Sequence, residues 1–226
     1  KHALKAASDA SHILTHLSGS VAGELKIAAS QTIANYWLPK KLAKFQTIYP
    51  EIKLRVSISN TVGVENSLIN DLAQIGLIEG NTSNGLLEIS HVEYDQPMLV
   101  VAKDKYQQFN LPVTRAAIEQ IPWVVREPGS GTRAILETLL ETQKISWNNI
   151  NVALELPSNE AIRQAVEAGA GFTIISRYVV DASIENGTLT TAPLQIPKRS
   201  FQLVSKKDQE RTDAHKAFTN FLKGSP

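Results

Sequence analysis

The sequence predicts an α/β fold in which a strand–turn–helix pattern occurs in two successive parts of the chain. In the first part, an alternating apolar strand ends at Ser30, a helix follows, and a second alternating strand covers residues 52–58. The same order returns further along, where the strand at residues 123–125 precedes a polar turn and a helix. Pro97 and the apolar run after it indicate a crossing between the two parts, and residues 200–204 form a strand that can return to the first.

Residues 25–58 predict a βαβ unit. Leu25, Ile27 and Ala29 alternate with other residues, and the apolar positions of residues 33–45 then recur at helical spacing. Pro50 ends the helix, and alternation resumes in the second strand. The two strands should therefore lie parallel, with a right-handed crossover between them.

The turn of this unit contains Ser30, Gln31 and Thr32. The two hydroxyls can cap the helix, and its unpaired N–H groups can also hold an anion or a carbonyl. Both interpretations stay open on these residues alone. Thr61 follows the second strand and precedes the next helix, and ligands of open parallel sheets bind outside the carboxyl ends of the strands. Ser30 and Thr61 should therefore converge at one edge.

A second polar turn, residues 126–133, precedes a helix in the second part. Gly129 and Gly131 let the backbone approach a ligand closely, while Ser130 and Thr132 offer hydroxyl donors beside the helix N–H groups. This turn therefore predicts an anion cradle. Arg133 has two equal interpretations, since it can bind the ligand or point outward and form a salt bridge.

Composition and motifs exclude several classes. The 226 residues carry a net charge of +1, which argues against a surface that coats nucleic acid, and the absence of cysteine excludes disulfides and thiolate zinc sites. No signal peptide is evident, and no run reaches the roughly 18 apolar residues of a membrane helix. The GSGTRA stretch matches the dinucleotide fingerprint only loosely, because residues 126–128 separate it from its strand. No nucleophile–base pair is present, so we expect neither an enzyme nor a metal or cofactor.

Residues 1–17 predict a short amphipathic helix that packs on another chain or a missing domain. His12 and His16 lie four apart on this helix, but no third ligand follows at zinc spacing. We therefore interpret the two histidines as part of a solvated face. Residues 19–23 indicate a linker.

Taken together, residues 23–222 resemble the effector-binding domain of a LysR-type transcriptional regulator. The resemblance implies an α/β fold of two Rossmann-like subdomains joined by two crossover strands, as in type 2 periplasmic binding proteins. Residues 1–22 would be the end of a linker helix and its linker, residues 23–98 and 202–226 subdomain I, and residues 99–201 subdomain II. Gln74 departs from the acidic residue that is common before the third strand of the family. The stretches that carry the resemblance are LKIAASQTIANYWLPKKLAKFQTIYPEIKLRV, IGLIEG, PWVVREPGSGTR and LPSNEAIRQAVEAGAGFTIISRYVV.

The resemblance also implies an effector site in the cleft between the subdomains. Since the site residues offer mainly hydroxyl and N–H donors, we expect a small anion such as an inorganic sulfur oxyanion, or a small carboxylate. The family further implies a cytoplasmic homodimer, with a tetramer as the alternative at full length. This assembly would meet DNA only through an absent N-terminal domain and would contact no membrane. A periplasmic solute-binding protein is the alternative with the same fold. The implied effector-binding residues are Ser30, Gln31, Thr32, Thr61, Gly129, Ser130 and Thr132.

Overall fold

The computed structural model describes residues 21–80, 82–106 and 114–224. These residues form two α/β subdomains, each with apolar clusters packed against its strands. In the described parts of the chain, no helix is long and apolar enough to cross a membrane. The predicted helix over residues 1–17, with His12 and His16, lies outside the described residues.

Subdomain I is built on a mixed sheet. Its strands are β1 (Gly23–Ser30), β2 (Ile52–Ser59), β3 (Ile75–Glu79), β4 (Leu87–Asp95) and β10 (Arg199–Lys206). They lie in the order β2-β1-β3-β10-β4. β1 is parallel to β2, as predicted for the βαβ unit, and also to β3, whereas β10 runs antiparallel to β3 and β4. The carboxyl ends of β1, β2 and β3 therefore meet at one edge.

Helices cover both faces of this sheet. A π-helical turn (Ile33–Trp37) leads into α1 (Leu38–Ile48), α2 is Thr61–Ile69, and α8 is Asp213–Lys223. Phe45 of α1 meets Phe218 of α8 edge-to-face, with ring centroids 5.0 Å apart. Such a pair contributes about 0.5–1.5 kcal/mol beyond the area it buries. This packing holds the C-terminal half of α1 against α8.

Subdomain II contains the remaining strands, which are β5 (Pro97–Ala102), β6 (Pro122–Arg126), β7 (Asn151–Leu156), β8 (Thr173–Ser176) and β9 (Leu189–Thr191). β5 is antiparallel to β8 and β9, and β6 is parallel to β7. A bridge between Trp123 of β6 and Phe172 connects the two groups of strands. Trp123 is fully buried, and its Nε1 donates a hydrogen bond to the Ile118 carbonyl at 2.8 Å. The helices of subdomain II are α3 (Lys103–Tyr106), α4 (Arg115–Gln120), α5 (Gly131–Gln143), α6 (Asn159–Glu167) and α7 (Arg177–Glu185).

The chain passes between the subdomains at Gln96, and again between β9 and β10. The two crossings lie side by side, because Arg199 is the register partner of Asp95. The predicted subdomain limits, between residues 98 and 99 and between residues 201 and 202, fall inside β5 and β10 and stay a prediction. We call the segment around Asp95 and Arg199 the hinge.

Candidate functional site

The hydroxyl residues predicted for the site lie buried where the two subdomains meet. Ser30 ends β1, and Thr32 stands in the first helical turn after it. Thr61 begins α2, while Ser130 precedes α5 and Thr132 lies in its first turn. Each of the five is less than a tenth exposed. The fold therefore brings together hydroxyls that the sequence places about 100 positions apart.

A carboxylate of the chain itself occupies the helix N-terminus after β1. Glu79 Oε1 accepts hydrogen bonds from Ser30 Oγ at 3.1 Å and from the Thr32 backbone N at 3.0 Å. The interpretation of Ser30 and Thr32 as helix caps is therefore wrong, because Glu79 accepts the bond that a cap would accept and Thr32 makes no cap bond. The positive end of a helix dipole favours a negative charge, and Glu79 supplies it.

Asn159, the first residue of α6, connects the two sides of the cleft. Its Nδ2 donates to Thr32 Oγ1 at 3.0 Å. Its Oδ1 accepts from Arg126 Nη1 at 2.6 Å and from Thr132 Oγ1 at 3.4 Å. The side chain is fully buried. One amide thus pairs two of the predicted hydroxyls and a buried guanidinium.

Gln31 holds the chain that enters α6. Its Nε2 donates to the Pro157 carbonyl at 2.9 Å, and its Oε1 accepts from the Asn159 backbone N at 3.0 Å. In the π-helical turn, burial and the nearby Glu160 carboxylate of α6 raise the pKa of Tyr36 to about 12. Gln31 therefore contacts subdomain II directly, with both polar atoms of its amide in use.

The second polar turn also meets subdomain I. Gly129 has a φ of +84°, a left-handed conformation that glycine adopts without strain, and its carbonyl accepts from the Val62 backbone N at 3.3 Å. Ser130 Oγ caps α5 by accepting from the Thr132 backbone N at 3.2 Å. A Cβ at Gly131 would lie 2.8 Å from the Glu79 carbonyl, so glycine there permits close approach. This turn thus packs directly against the backbone of subdomain I.

Arg126 and Glu127 form an ion pair at the end of β6. Arg126 Nε donates to Glu127 Oε2 at 2.7 Å and its Nη2 donates to Oε1 at 2.8 Å. Asn60 of subdomain I donates to the same Oε1 at 3.1 Å. Burial alone would raise the pKa of the Glu127 carboxyl, but the bonds from Arg126 and Asn60 hold it below its ordinary value. Glu127 therefore stays ionised and spans the cleft.

Arg199 joins the hinge to both subdomains. Its Nε donates to Asp95 Oδ2 at 2.7 Å, and its Nη1 donates to Glu79 Oε2 and to the Gly131 carbonyl, each at 3.0 Å. The other Asp95 oxygen accepts from Ser176 Oγ of subdomain II at 2.6 Å. One guanidinium therefore contacts the end of β3, the end of β4 and the start of α5.

Arg133 points away from the cleft, which decides between its two interpretations. It donates to Glu137 Oε1 at 2.8 Å and to Glu155 Oε2 at 2.7 Å. Its guanidinium carbon also lies 4.1 Å from the ring centroid of Trp147. These contacts hold α5 against β7, so Arg133 has a structural role here.

Sequence reasoning missed four side chains of the cleft. Glu79 and Arg126 each end a strand, so the rule that selected Ser30 and Thr61 could have found them. Asn159 stands at a helix start after a strand, which is a weaker signal of the same kind. Arg199 begins a strand, and no local pattern distinguishes it from a surface arginine.

Comparison with known proteins places this cleft in a family. The LysR substrate binding domain model matches residues 18–225. The chain belongs to the LysR substrate binding domain family. It is therefore an effector-binding domain of the LysR type, a ligand-sensing regulatory domain rather than an enzyme.

Among the relatives, the HTH-type transcriptional regulator YeiE of Escherichia coli K12 is 30% identical over 201 residues, which cover 88% of this chain and 67% of YeiE. The HTH-type transcriptional regulator CysL of Bacillus subtilis is 31% identical over 207 residues, covering 91% of this chain and 68% of CysL. The chain thus spans about two thirds of these relatives.

The fold is also similar to that of the CcmR regulatory domain of Synechocystis PCC6803, solved in complex with 2-PG. The TM-score is 0.80 at 22% identity, and the alignment covers 89% of this chain and 96% of the CcmR chain. The predicted α/β architecture, that of type 2 periplasmic binding proteins, is confirmed by such regulatory domains.

Proposed function

We propose that this LysR-type domain senses a small inorganic oxyanion of sulfur in the cleft between its subdomains. The observation that carries the proposal is the position of the Glu79 carboxylate. It accepts from Ser30 Oγ, from the Thr32 backbone N and from Arg199 Nη1. Three converging donors, one of them cationic, suit an oxyanion, which offers several acceptor oxygens around one centre.

The charges of the cleft support an exchange between the effector and this carboxylate. Two guanidinium groups, Arg126 and Arg199, face three carboxylates, Glu79, Asp95 and Glu127. The formal charges of these side chains, two positive and three negative, sum to −1. An added anion would raise the repulsion in this buried region, where charges are screened little. The effector therefore takes over the donors that Glu79 uses, and the Glu79 side chain moves aside.

The packing of the cleft favours a small effector. Thr32 and Asn159 are fully buried, and Ser130 and Thr132 are nearly so. Asn159 already bonds the Thr32 and Thr132 hydroxyls, and Gln31 bonds the chain before α6 across the cleft. A bulky aromatic effector would have to break these bonds, whereas a small oxyanion can bind among them. The proposed site consists of Ser30, Gln31, Thr32, Thr61, Gly129, Ser130, Thr132 and Arg199.

Effector binding regulates by favouring one arrangement of the subdomains over another. Hydrogen bonds from Asn159, Asn60 and Arg199 hold the closed arrangement of the described chain. An effector that strengthens or replaces these bonds shifts the equilibrium between this closed arrangement of the subdomains and an open one. We propose that the change reaches DNA through the N-terminal domain of a full-length regulator in the cytoplasm. Relatives that are transcriptional regulators disfavour the periplasmic alternative.

We also propose that the domain forms a homodimer through two edge strands. β2 lies at one edge of its sheet and exposes Val56 and Ile58, and β7 exposes Val152 and Leu154. A two-fold dimer that sets subdomain I of one copy beside subdomain II of the other buries both apolar stripes at once. The variants Val56→Asp and Leu154→Asp should each sediment as monomers. Leu72→Asp, which alters an exposed leucine elsewhere, should leave the dimer intact; if all three variants sediment alike, these edges are not the interface.

Thermal unfolding against sulfite, sulfate, thiosulfate, phosphate and small carboxylates tests the effector. A ligand at a hundred times its dissociation constant adds about 2.7 kcal/mol of stability. Thr32→Val and Ser130→Ala should reduce the shift, and Thr138→Ala should not, because the Thr138 hydroxyl bonds only the Ala134 carbonyl on the exposed side of α5. A shift with carboxylates alone would refute the sulfur oxyanion.

A further inference from the structure

A further contact between the subdomains lies outside the proposed effector site, where the π-helical turn of subdomain I meets the start of α6. Asn35 Nδ2 donates to Glu160 Oε1 at 3.2 Å. The ring of Tyr36 packs on an apolar cluster whose buried members, including Ile162 of α6, all belong to subdomain II. The Tyr36 hydroxyl also interacts with Glu160 and Arg163 of α6. Two neighbouring residues of the turn therefore bind α6.

The π-helical geometry decides where these two side chains point. The Leu38 N–H donates to the Ile33 carbonyl, one position further back than the Ala34 carbonyl that an α-helix would use. Successive residues of an α-helix are about 100° apart around the axis, so the loss of the extra residue would rotate this turn by up to about 100° relative to α1. α1 itself is held against α8 by the contact of its Phe45. An α-helical turn would therefore move both side chains off α6.

The α6 side of the contact is fixed. Ile162 is fully buried, and Arg163 Nη1 donates to Glu167 Oε1 at 2.8 Å in the next turn of the helix. The Ser158 hydroxyl caps the helix by accepting from the Ala161 backbone N at 3.0 Å. The π turn is the side that can change, because π-helical bonding is rare and α-helical bonding is the common alternative for the same residues. The contacts with α6 offset the cost of the π turn.

We infer that Asn35 and Tyr36 of the π turn, with Glu160 and Arg163 of α6, form a latch that holds the cleft closed and opens when the turn becomes α-helical. In the closed arrangement the contacts with α6 stabilise the π turn. When subdomain II moves away, the turn takes α-helical bonds and both side chains leave α6. Since the closed arrangement and the π turn stabilise each other, a change in one shifts the equilibrium of the other. The latch acts without an effector, so it stands or falls separately from the proposed function.

Amide hydrogen exchange, followed by mass spectrometry without added effector, tests the latch at residues 157–163. The Asn159 backbone N–H of this stretch is bonded across the cleft, so opening exposes it. Tyr36→Phe and Glu160→Gln should each speed exchange there about ten-fold, because each weakens a bond to a charged group. Tyr94→Phe is the matched control and should leave exchange unchanged, since Tyr94 is exposed on β4 of the same subdomain. Exchange at the rate of the natural chain in Tyr36→Phe and Glu160→Gln would overturn the latch.

Deletion of Ala34 tests the π turn itself, because it removes the extra residue and keeps Asn35 and Tyr36. The deletion should speed exchange at the start of α6 at least as much as Tyr36→Phe does, while exchange in α8 stays unchanged. A crystal structure of Tyr36→Ala should show the Leu38 N–H bonded to the Ala34 carbonyl. If that bond still reaches Ile33, or if the deletion leaves exchange unchanged, conversion of the turn is overturned. Should the deletion variant fail to fold, the Tyr36→Ala structure decides the question without it.

Discussion

Asn159→Ala removes the side chain that bonds both sides of the cleft. The lost bonds are those to Arg126 Nη1 at 2.6 Å, Thr32 Oγ1 at 3.0 Å and Thr132 Oγ1 at 3.4 Å. A bond to a charged group contributes about 1.5–3 kcal/mol and a neutral one about 0.5–1.5 kcal/mol. The third bond is long and adds little. We expect the free energy of unfolding to fall by about 3 kcal/mol, because a buried guanidinium also loses a partner.

Thermal and urea unfolding measure this change. A loss of about 3 kcal/mol corresponds to a melting temperature lower by roughly 6–12 °C in a domain of this size. Asn148→Ala is the matched control, since Asn148 is exposed in the same subdomain. A double-mutant cycle with Thr32→Val should show a coupling of about 1 kcal/mol between Thr32 and Asn159. If Asn159→Ala unfolds like the control and the coupling is zero, Asn159 does not hold the subdomains together.

Three further predictions concern Gly131, Glu79 and His215. Gly131→Ala should enlarge the radius of gyration in small-angle scattering, because its Cβ would lie 2.8 Å from the Glu79 carbonyl; an unchanged radius would contradict the close packing. Glu79→Gln should bind sulfite or sulfate about ten-fold more tightly by calorimetry, because it removes the charge that competes for Thr32; equal or weaker binding would refute the exchange. Burial and nearby Arg211 lower the pKa of His215 in the folded chain. The stability that the neutral histidine contributes is therefore fully present above the ordinary histidine pKa of about 6.5, and it is lost as the pH falls through the lower folded-state pKa. Unfolding at about pH 5 to 8 should show this slope, and His215→Leu should remove it.

Local sequence predicted the strands and helices well where apolar spacing was regular. β1 and β2 alternate, α1 follows the predicted helical spacing, and the register of β1 with β2 is parallel as expected. The π-helical turn at Ile33–Trp37 was not predicted. This π-helical segment has only five residues, so its apolar positions alone do not distinguish it from an α-helical turn.

The candidate site was predictable in position but not in pairing. Hydroxyls at strand ends indicated that Ser30 and Thr61 would gather, because parallel strands end at one edge, and the family resemblance set Ser130 opposite them across the cleft. The same rule left Glu79 unassigned, although it also ends a strand. Ser30 was interpreted as a possible cap, yet its hydroxyl donates to Glu79, a residue 49 positions away.

The sequence alone determined the α/β class, the family and the edge at which polar side chains gather, since these depend on spacing within short stretches. Tertiary structure alone decided which of those side chains are already paired and which remain free. Thr32 and Asn159 are 127 positions apart, and Glu79 and Arg199 are 120 apart. Such bonds form only when both subdomains and the hinge are in place, so no local pattern could assign them.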